Sequence, residues 1–132
     1  MTRRAGGVRP IPKERVTQRA ILKMCGKLFP DVFIHHSAVV KLTGDREARA
    51  RQMGALKCDG FKPGFADLLC LWNGGGKLLE VKREKGGVVS EVQEALHERL
   101  QAIGWPVAVV RSIDEAHAAL CAAGAPCRGN LA

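Results

Sequence analysis

Phe65-Ala66-Asp67-Leu68-Leu69-Cys70-Leu71-Trp72-Asn73-Gly74-Gly75-Gly76-Lys77-Leu78-Leu79-Glu80-Val81-Lys82 is the stretch whose reading decides the fold. Two short apolar runs flank a glycine-rich tetrapeptide, Asn73 to Gly76, which is the pattern of a β-hairpin. Side chains alternate faces along a strand, so Glu80 and Lys82 share one face and Leu79 and Val81 the other. Pairing Trp72 with Lys77 across the turn sets Asp67 opposite Lys82 and Leu69 opposite Glu80. Asp67 and Glu80 are then diagonal neighbours, about 7–8 Å apart at the backbone. Two carboxylates beside a lysine can converge on one hard cation. The plain alternative is a salt bridge from Asp67 to Lys82 across the hairpin. Glu80 resists a plain explanation, because a carboxylate inside an apolar strand needs partners.

The rest of the chain bounds what that hairpin can belong to. A length of 132 residues suits one compact domain with its own core, and an apolar fraction of 46% argues against disorder. The formal charge is +8, which favours a polyanionic partner, nucleic acid before an acidic membrane. No apolar stretch is long enough to span a bilayer, and the basic N-terminus lacks the apolar segment of a secretory signal. The five cysteines, Cys25, Cys58, Cys70, Cys121 and Cys127, include no CxxC pair. They read as reduced, mostly buried thiols of a cytoplasmic protein rather than a disulfide or zinc framework.

Residues 1–12, with Arg3, Arg4 and Arg9, form a basic arm that either is solvated or touches DNA. Helical spacing of Val16, Ala20, Met24 and Leu28 predicts a helix from Lys13 to Phe29. Val32 to Val40 reads as a strand, in which His35 and His36 point to opposite faces and so cannot easily share a metal. Residues 43–60 are basic and read either as a short helix begun by Thr43 or as a long surface loop. Phosphate contact through Arg46, Arg49, Arg51 and Lys57 competes there with a merely solvated face. Lys62-Pro63-Gly64 turns the chain into the hairpin, and Arg83-Glu84-Lys85 is a basic loop leaving it. Ser90 with Gln93 is a capping box opening a helix with the stripe Val92, Leu96, Leu100 and Ile103. Trp105 to Val110 reads as a strand covered on both faces. Ser112 with Glu115 is a second capping box, opening a helix over Asp114 to Ala123, and residues 125–132 read as a short frayed tail. A strand–helix–strand unit next to a hairpin implies a single α/β domain over 13–124, a mixed central sheet flanked by helices.

At this point the motifs carry a resemblance. Lys62-Pro63-Gly64-Phe65-Ala66-Asp67, then Glu80-Val81-Lys82, then Gln93 on the following helix resemble the PD-(D/E)xK nuclease superfamily with its restriction-endonuclease-like core. More closely they resemble the virus-type replication-repair nuclease domain, VRR-NUC, whose first helix carries a Glu followed four residues later by Gln, as do Glu14 and Gln18. One departure is Ala66-Asp67, where the family more usually has Ser-Asp or Pro-Asp.

The resemblance implies Mg²⁺ or Mn²⁺ held by Asp67 and Glu80, with the Val81 carbonyl and with Glu14 directly or through water. It implies catalytic roles for Asp67, Glu80, Lys82, Gln93 and Glu14. The capping box explains Gln93 equally well, and a first-turn acid favouring the helix dipole explains Glu14. Nucleic-acid contacts are expected at Arg46, Arg49, Arg51, Lys57, Lys62, Arg83 and Lys85. The expected activity is a metal-dependent endonuclease on structured DNA, a four-way (Holliday) junction resolvase in its fullest form. The alternatives are a flap or replication-fork nuclease, and a basic module of the same fold that binds without cutting. A chain with one site, acting alone on a symmetric junction, is expected to be a homodimer through its first helix or its Val32 to Val40 strand. Its expected location is the cytoplasm, at the nucleoid when acting.

Overall fold

The computed structural model describes residues 13–37 and 41–131. The basic arm at 1–12 and the far end of the first expected strand, 38–40, lie outside the described residues. The described elements are α1 (Lys13–Leu28), β1 (Phe33–His36), α2 (Arg46–Cys58), β2 (Leu68–Trp72), β3 (Gly75–Val81), α3 (Glu91–Ala102), β4 (Val107–Val110) and α4 (Ile113–Ala122). The strands lie in the order β1-β2-β3-β4. The first two pairings are antiparallel and β3–β4 is parallel, with α3 as the crossover. This is the mixed α/β sheet flanked by helices that the hairpin and the strand–helix–strand unit imply.

The sheet has two different faces. Leu68, Cys70, Leu79, Val81 and Val110 meet Ile21, Met24, Cys25 and Phe29 of the α1 region and Ala116 and Leu120 of α4, forming the main core. Fully burying the leucine, valine, isoleucine, methionine and phenylalanine side chains among them stabilises by about 1.5–3 kcal/mol each before chain entropy is counted. The opposite face carries Leu78, Glu80 and Lys82, and α3 covers them with Leu96 and Gln93. Alternation along β3 therefore sends Leu79 and Val81 to the main core and Leu78 and Glu80 to the α3 side, which Lys82, just past the end of the strand, continues.

The hairpin differs from its expected register by two residues. Trp72 pairs with Gly75 rather than with Lys77, so only Asn73 and Gly74 form the turn. The indole of Trp72 fills the space where a side chain on Gly75 would stand, 2.7 Å from an added Cβ. A side chain at residue 75 would have to displace the indole from this place. Leu68 pairs with Leu79, so one further step brings Asp67 opposite Glu80 rather than diagonal to it. A shift of two keeps every residue on its expected face.

Other boundaries move as well. The 43–60 segment is a helix, capped by Asp45 rather than Thr43: the Asp45 side chain accepts from Ala48 N at 2.8 Å. It buries no side chain. Thr43 instead joins Gln52 through two hydrogen bonds, of 3.0 and 2.7 Å. β4 is shorter than expected and lies at the sheet edge, with Trp105 half-exposed. The cysteines are not mostly buried: Cys25 and Cys70 are, whereas Cys58, Cys121 and Cys127 are exposed.

The expected frayed tail is packed. Ala125 is buried and its N–H donates to Leu120 O; Arg128 N donates to Leu28 O at 2.7 Å, and its guanidinium pairs with Asp31 at 2.9 Å. The Arg128 contacts lie about 100 residues apart in sequence, beyond the reach of a local pattern. Among the described residues no helix is long and apolar enough to cross a membrane.

Candidate active site

Asp67 enters the site from the turn that precedes β2. Its Oδ2 accepts the Val81 N–H at 2.7 Å, and its carbonyl accepts from Ser37 N at 2.8 Å. The acid is therefore held against the end of β3 from both its side chain and its backbone. Gly64 fixes the approach of this turn. It lies at φ +82°, and a Cβ added there would stand 2.8 Å from Val92 O and 3.1 Å from Gln93 Cα. Only glycine lets the turn lie against the first residues of α3, which brings Asp67 and Gln93 to one place.

Glu80 is completely buried. Gln93 Nε2 donates to its Oε1 at 2.6 Å, and Lys82 Nζ lies 3.4 Å from the same oxygen. Its Oε2 has no hydrogen-bond partner; His97 Nε2, also without one, is 3.8 Å away, too far to donate. Burial first, and then the charge of Asp67, push the Glu80 carboxyl up to about 8, with Lys82 opposing. Burial and the Lys82 ammonium hold His97 below its ordinary value, so its imidazole is neutral at neutral pH.

Lys82 is 7% exposed and donates from Nζ to Gln93 Oε1 at 3.0 Å. The plain cross-hairpin pair is absent: the ion partner of Lys82 is Glu80, not Asp67. Gln93 makes the cap and also touches the acid and the lysine. Its Oε1 accepts from Ser90 N at 3.0 Å and from Lys82, while its Nε2 reaches Glu80. One amide closes the capping box of α3 and ties Lys82 to Glu80.

α1 approaches from the other side. Gln18 Nε2 meets His36 Nδ1 at 3.1 Å, and that nitrogen lies 3.2 Å from Asp67 O, a polar chain from the helix to the acid's backbone. His35, on the alternate face, is exposed. Lys13, Val16 and Thr17 line a cleft of about 290 Å³ with Arg83, Glu84 and Lys85. The first turn of α1 thus sits beside the loop that follows Lys82. Glu14 belongs to that turn, and no hydrogen bond joins it to Asp67, Glu80 or Lys82. Val81 contributes its N–H to Asp67.

Arg46, Arg49, Arg51 and Lys57 are exposed along α2, and Lys62, Arg83 and Lys85 are exposed on the loops before and after the hairpin. Arg49 Nε donates to Gly44 O, and Arg83 to Gly86 O while its own carbonyl accepts from Arg111. His97 is the site residue that sequence reasoning missed. Its position four residues after Gln93 is the available signal, since i and i+4 share a helix face.

No family model matches the sequence, and no curated protein is close enough to match. The fold is similar to a solved structure of a VRR_NUC domain protein, with 18% identity, 89% of this chain and 91% of that chain covered, and a TM-score of 0.60. The chain has a VRR-NUC-like fold, and the Asp67, Glu80-Val81-Lys82 and Gln93 motifs meet in one place within it.

Proposed function

We propose that this chain is a metal-dependent endonuclease that hydrolyses phosphodiester bonds in structured DNA, four-way junctions in the fullest form of the reading. The observation that carries it is the buried Glu80, flanked by Lys82 and Gln93 and set opposite Asp67 at the end of β3. A buried carboxylate next to an ammonium and a second carboxylate is costly to keep for stability alone.

The donor set fits Mg²⁺ or Mn²⁺. Asp67 and Glu80 offer hard oxygens, and Glu80 Oε2 is a buried acceptor with nothing bonded to it. Asp67 and Glu80 would hold the ion, with the Val81 carbonyl and Glu14 as further oxygens. When bound, the ion polarises the scissile phosphate and lowers the pKa of an attacking water. The chain's own groups do the rest. Gln93 and Glu80 hold the Lys82 ammonium, which would neutralise charge developing on the phosphate. Arg83 and Lys85 follow Lys82 in the loop that leaves β3, so they would meet the backbone of the same substrate.

The test is incubation of the chain with four-way junction, flap and linear duplexes, with and without Mg²⁺. The reading expects cuts only with the ion, and fastest on the junction. Binding of all three without a cut under Mg²⁺ or Mn²⁺ leaves a DNA-binding module; preference for the flap moves the substrate to fork or flap structures.

A further inference from the structure

A second group of metal-ligating side chains stands apart from Glu80 and is softer in character. His117 and Cys121 lie four residues apart on α4 and so share one helix face. Cys127 comes from the tail, which the Ala125, Arg128 and Asp31 contacts fold back on α1 and α4. His117 Nε2 is 3.7 Å from Cys121 Sγ and 3.8 Å from Cys127 Sγ, and all three ligand atoms lie within 4.8 Å of one another. The imidazole also packs on Phe29, with ring centroids 5.5 Å apart, which restrains its orientation.

The two nitrogen–sulfur separations are near those of a metal-ligand set. Zn–S bonds of about 2.3 Å and a Zn–N bond of about 2.0–2.1 Å at tetrahedral angles require about 3.6 Å between nitrogen and sulfur and about 3.8 Å between the sulfurs. The two Nε2–sulfur distances are close to that requirement; Cys121 Sγ also lies 3.9 Å from Nδ1 and the two sulfurs are within 4.8 Å of each other, so rotation of the imidazole and the thiols closes the set on an ion. The Cys127 thiol points to Gly129 O at 3.6 Å.

We propose that His117, Cys121 and Cys127 form a site for Zn²⁺, three ligands with a fourth position open to water, that clasps the C-terminal segment to α4. Two thiolates and an imidazole select a borderline-soft ion and discriminate against Mg²⁺ and Mn²⁺, which prefer the oxygens of Asp67 and Glu80. Binding forms two Zn–S bonds and one Zn–N bond, and the two thiol protons pass to solvent. The site lies on the helix layer that packs against Leu79 and Val81, whereas Glu80 faces α3, so the two metals do not compete for ligands.

The test uses the full chain, reduced, stripped with a chelator and titrated with Co²⁺ in excess Mg²⁺. One equivalent of Co²⁺ should bind with a thiolate-to-cobalt charge-transfer absorption that Zn²⁺ abolishes. Cys121→Ser and Cys127→Ser should each lose that absorption, and Cys58→Ser, at an exposed thiol outside the group, should keep it. Circular dichroism of each variant reports whether it folds, and both substituted thiols are exposed. A titration with no thiolate absorption overturns the site, as does an absorption that survives in both folded serine variants.

Discussion

At the residue scale, Glu80 decides how the site responds to pH. Its carboxyl is raised from 4.5 to about 8 by burial and by Asp67. Between those values the folded chain holds a proton that the unfolded chain has released, so stability falls as pH rises through this range. The metal-free protein should therefore melt at a lower temperature at pH 8 than at pH 5.5. Glu80→Gln should flatten that part of the profile. A wild-type profile matching that of Glu80→Gln across the range would show that the raised carboxyl does not exist. Metal affinity should run the other way. Mn²⁺ must displace the proton, so its binding should strengthen toward pH 8, with proton uptake by the buffer visible in calorimetry. Lys82→Ala should remove cleavage and leave Mn²⁺ binding, since the ammonium is not a ligand; loss of Mn²⁺ binding in that variant makes its role structural.

Among the elements, the turn into β2 and the first turn of α3 are one unit, joined where Gly64 lies on Val92 and Gln93. Gly64→Ala places a Cβ against backbone and imposes φ +82° on an L-residue. It should cost about 2 kcal/mol or more, measured by urea unfolding, and reduce cleavage further by moving Asp67 away from Gln93. An unchanged midpoint and rate would contradict the packing. α2 makes a different prediction, since it buries no side chain. If its arginines meet phosphates, changing Arg46, Arg49 and Arg51 to Gln should make the slope of log affinity against log salt shallower. The change should reach up to about 0.9 for each phosphate that is no longer neutralised. A slope equal to wild type takes α2 out of the footprint.

The elements also show what the sequence could and could not reveal. The hairpin, the parallel pair and the Ser90 cap are local patterns of alternation and capping, and they were legible. So were the faces of Glu80 and Lys82, which depend only on a period of two. The register was not, because a run of three glycines allows more than one turn. The neutral His97 beside Glu80, the docked tail and the His117–Cys121–Cys127 group depend on contacts between distant segments. Spacing of one cysteine on a helix and another past its end says nothing until the tail folds back.

For the whole molecule, the β1–β2 end of the sheet leaves an apolar pair in view. Phe33 and Leu71 are cross-strand partners, 67% and 39% exposed, and β1 is an edge strand. The proposed junction cutting calls for two related sites, which a two-fold dimer through this end would supply. Light scattering at micromolar concentration should give about twice 14.3 kDa, and Phe33→Lys should return the mass of one chain. A wild-type mass near 14.3 kDa removes the dimer and this route to paired cuts, while leaving the single site untouched. That site is the central claim. The most direct measurement is cleavage of a labelled four-way junction under Mg²⁺ by wild type, Asp67→Asn and Glu80→Gln, alongside their affinities for the same DNA at fixed salt. The account predicts loss of cutting in both variants with affinity within a few-fold of wild type; cutting at the wild-type rate in either variant would contradict it.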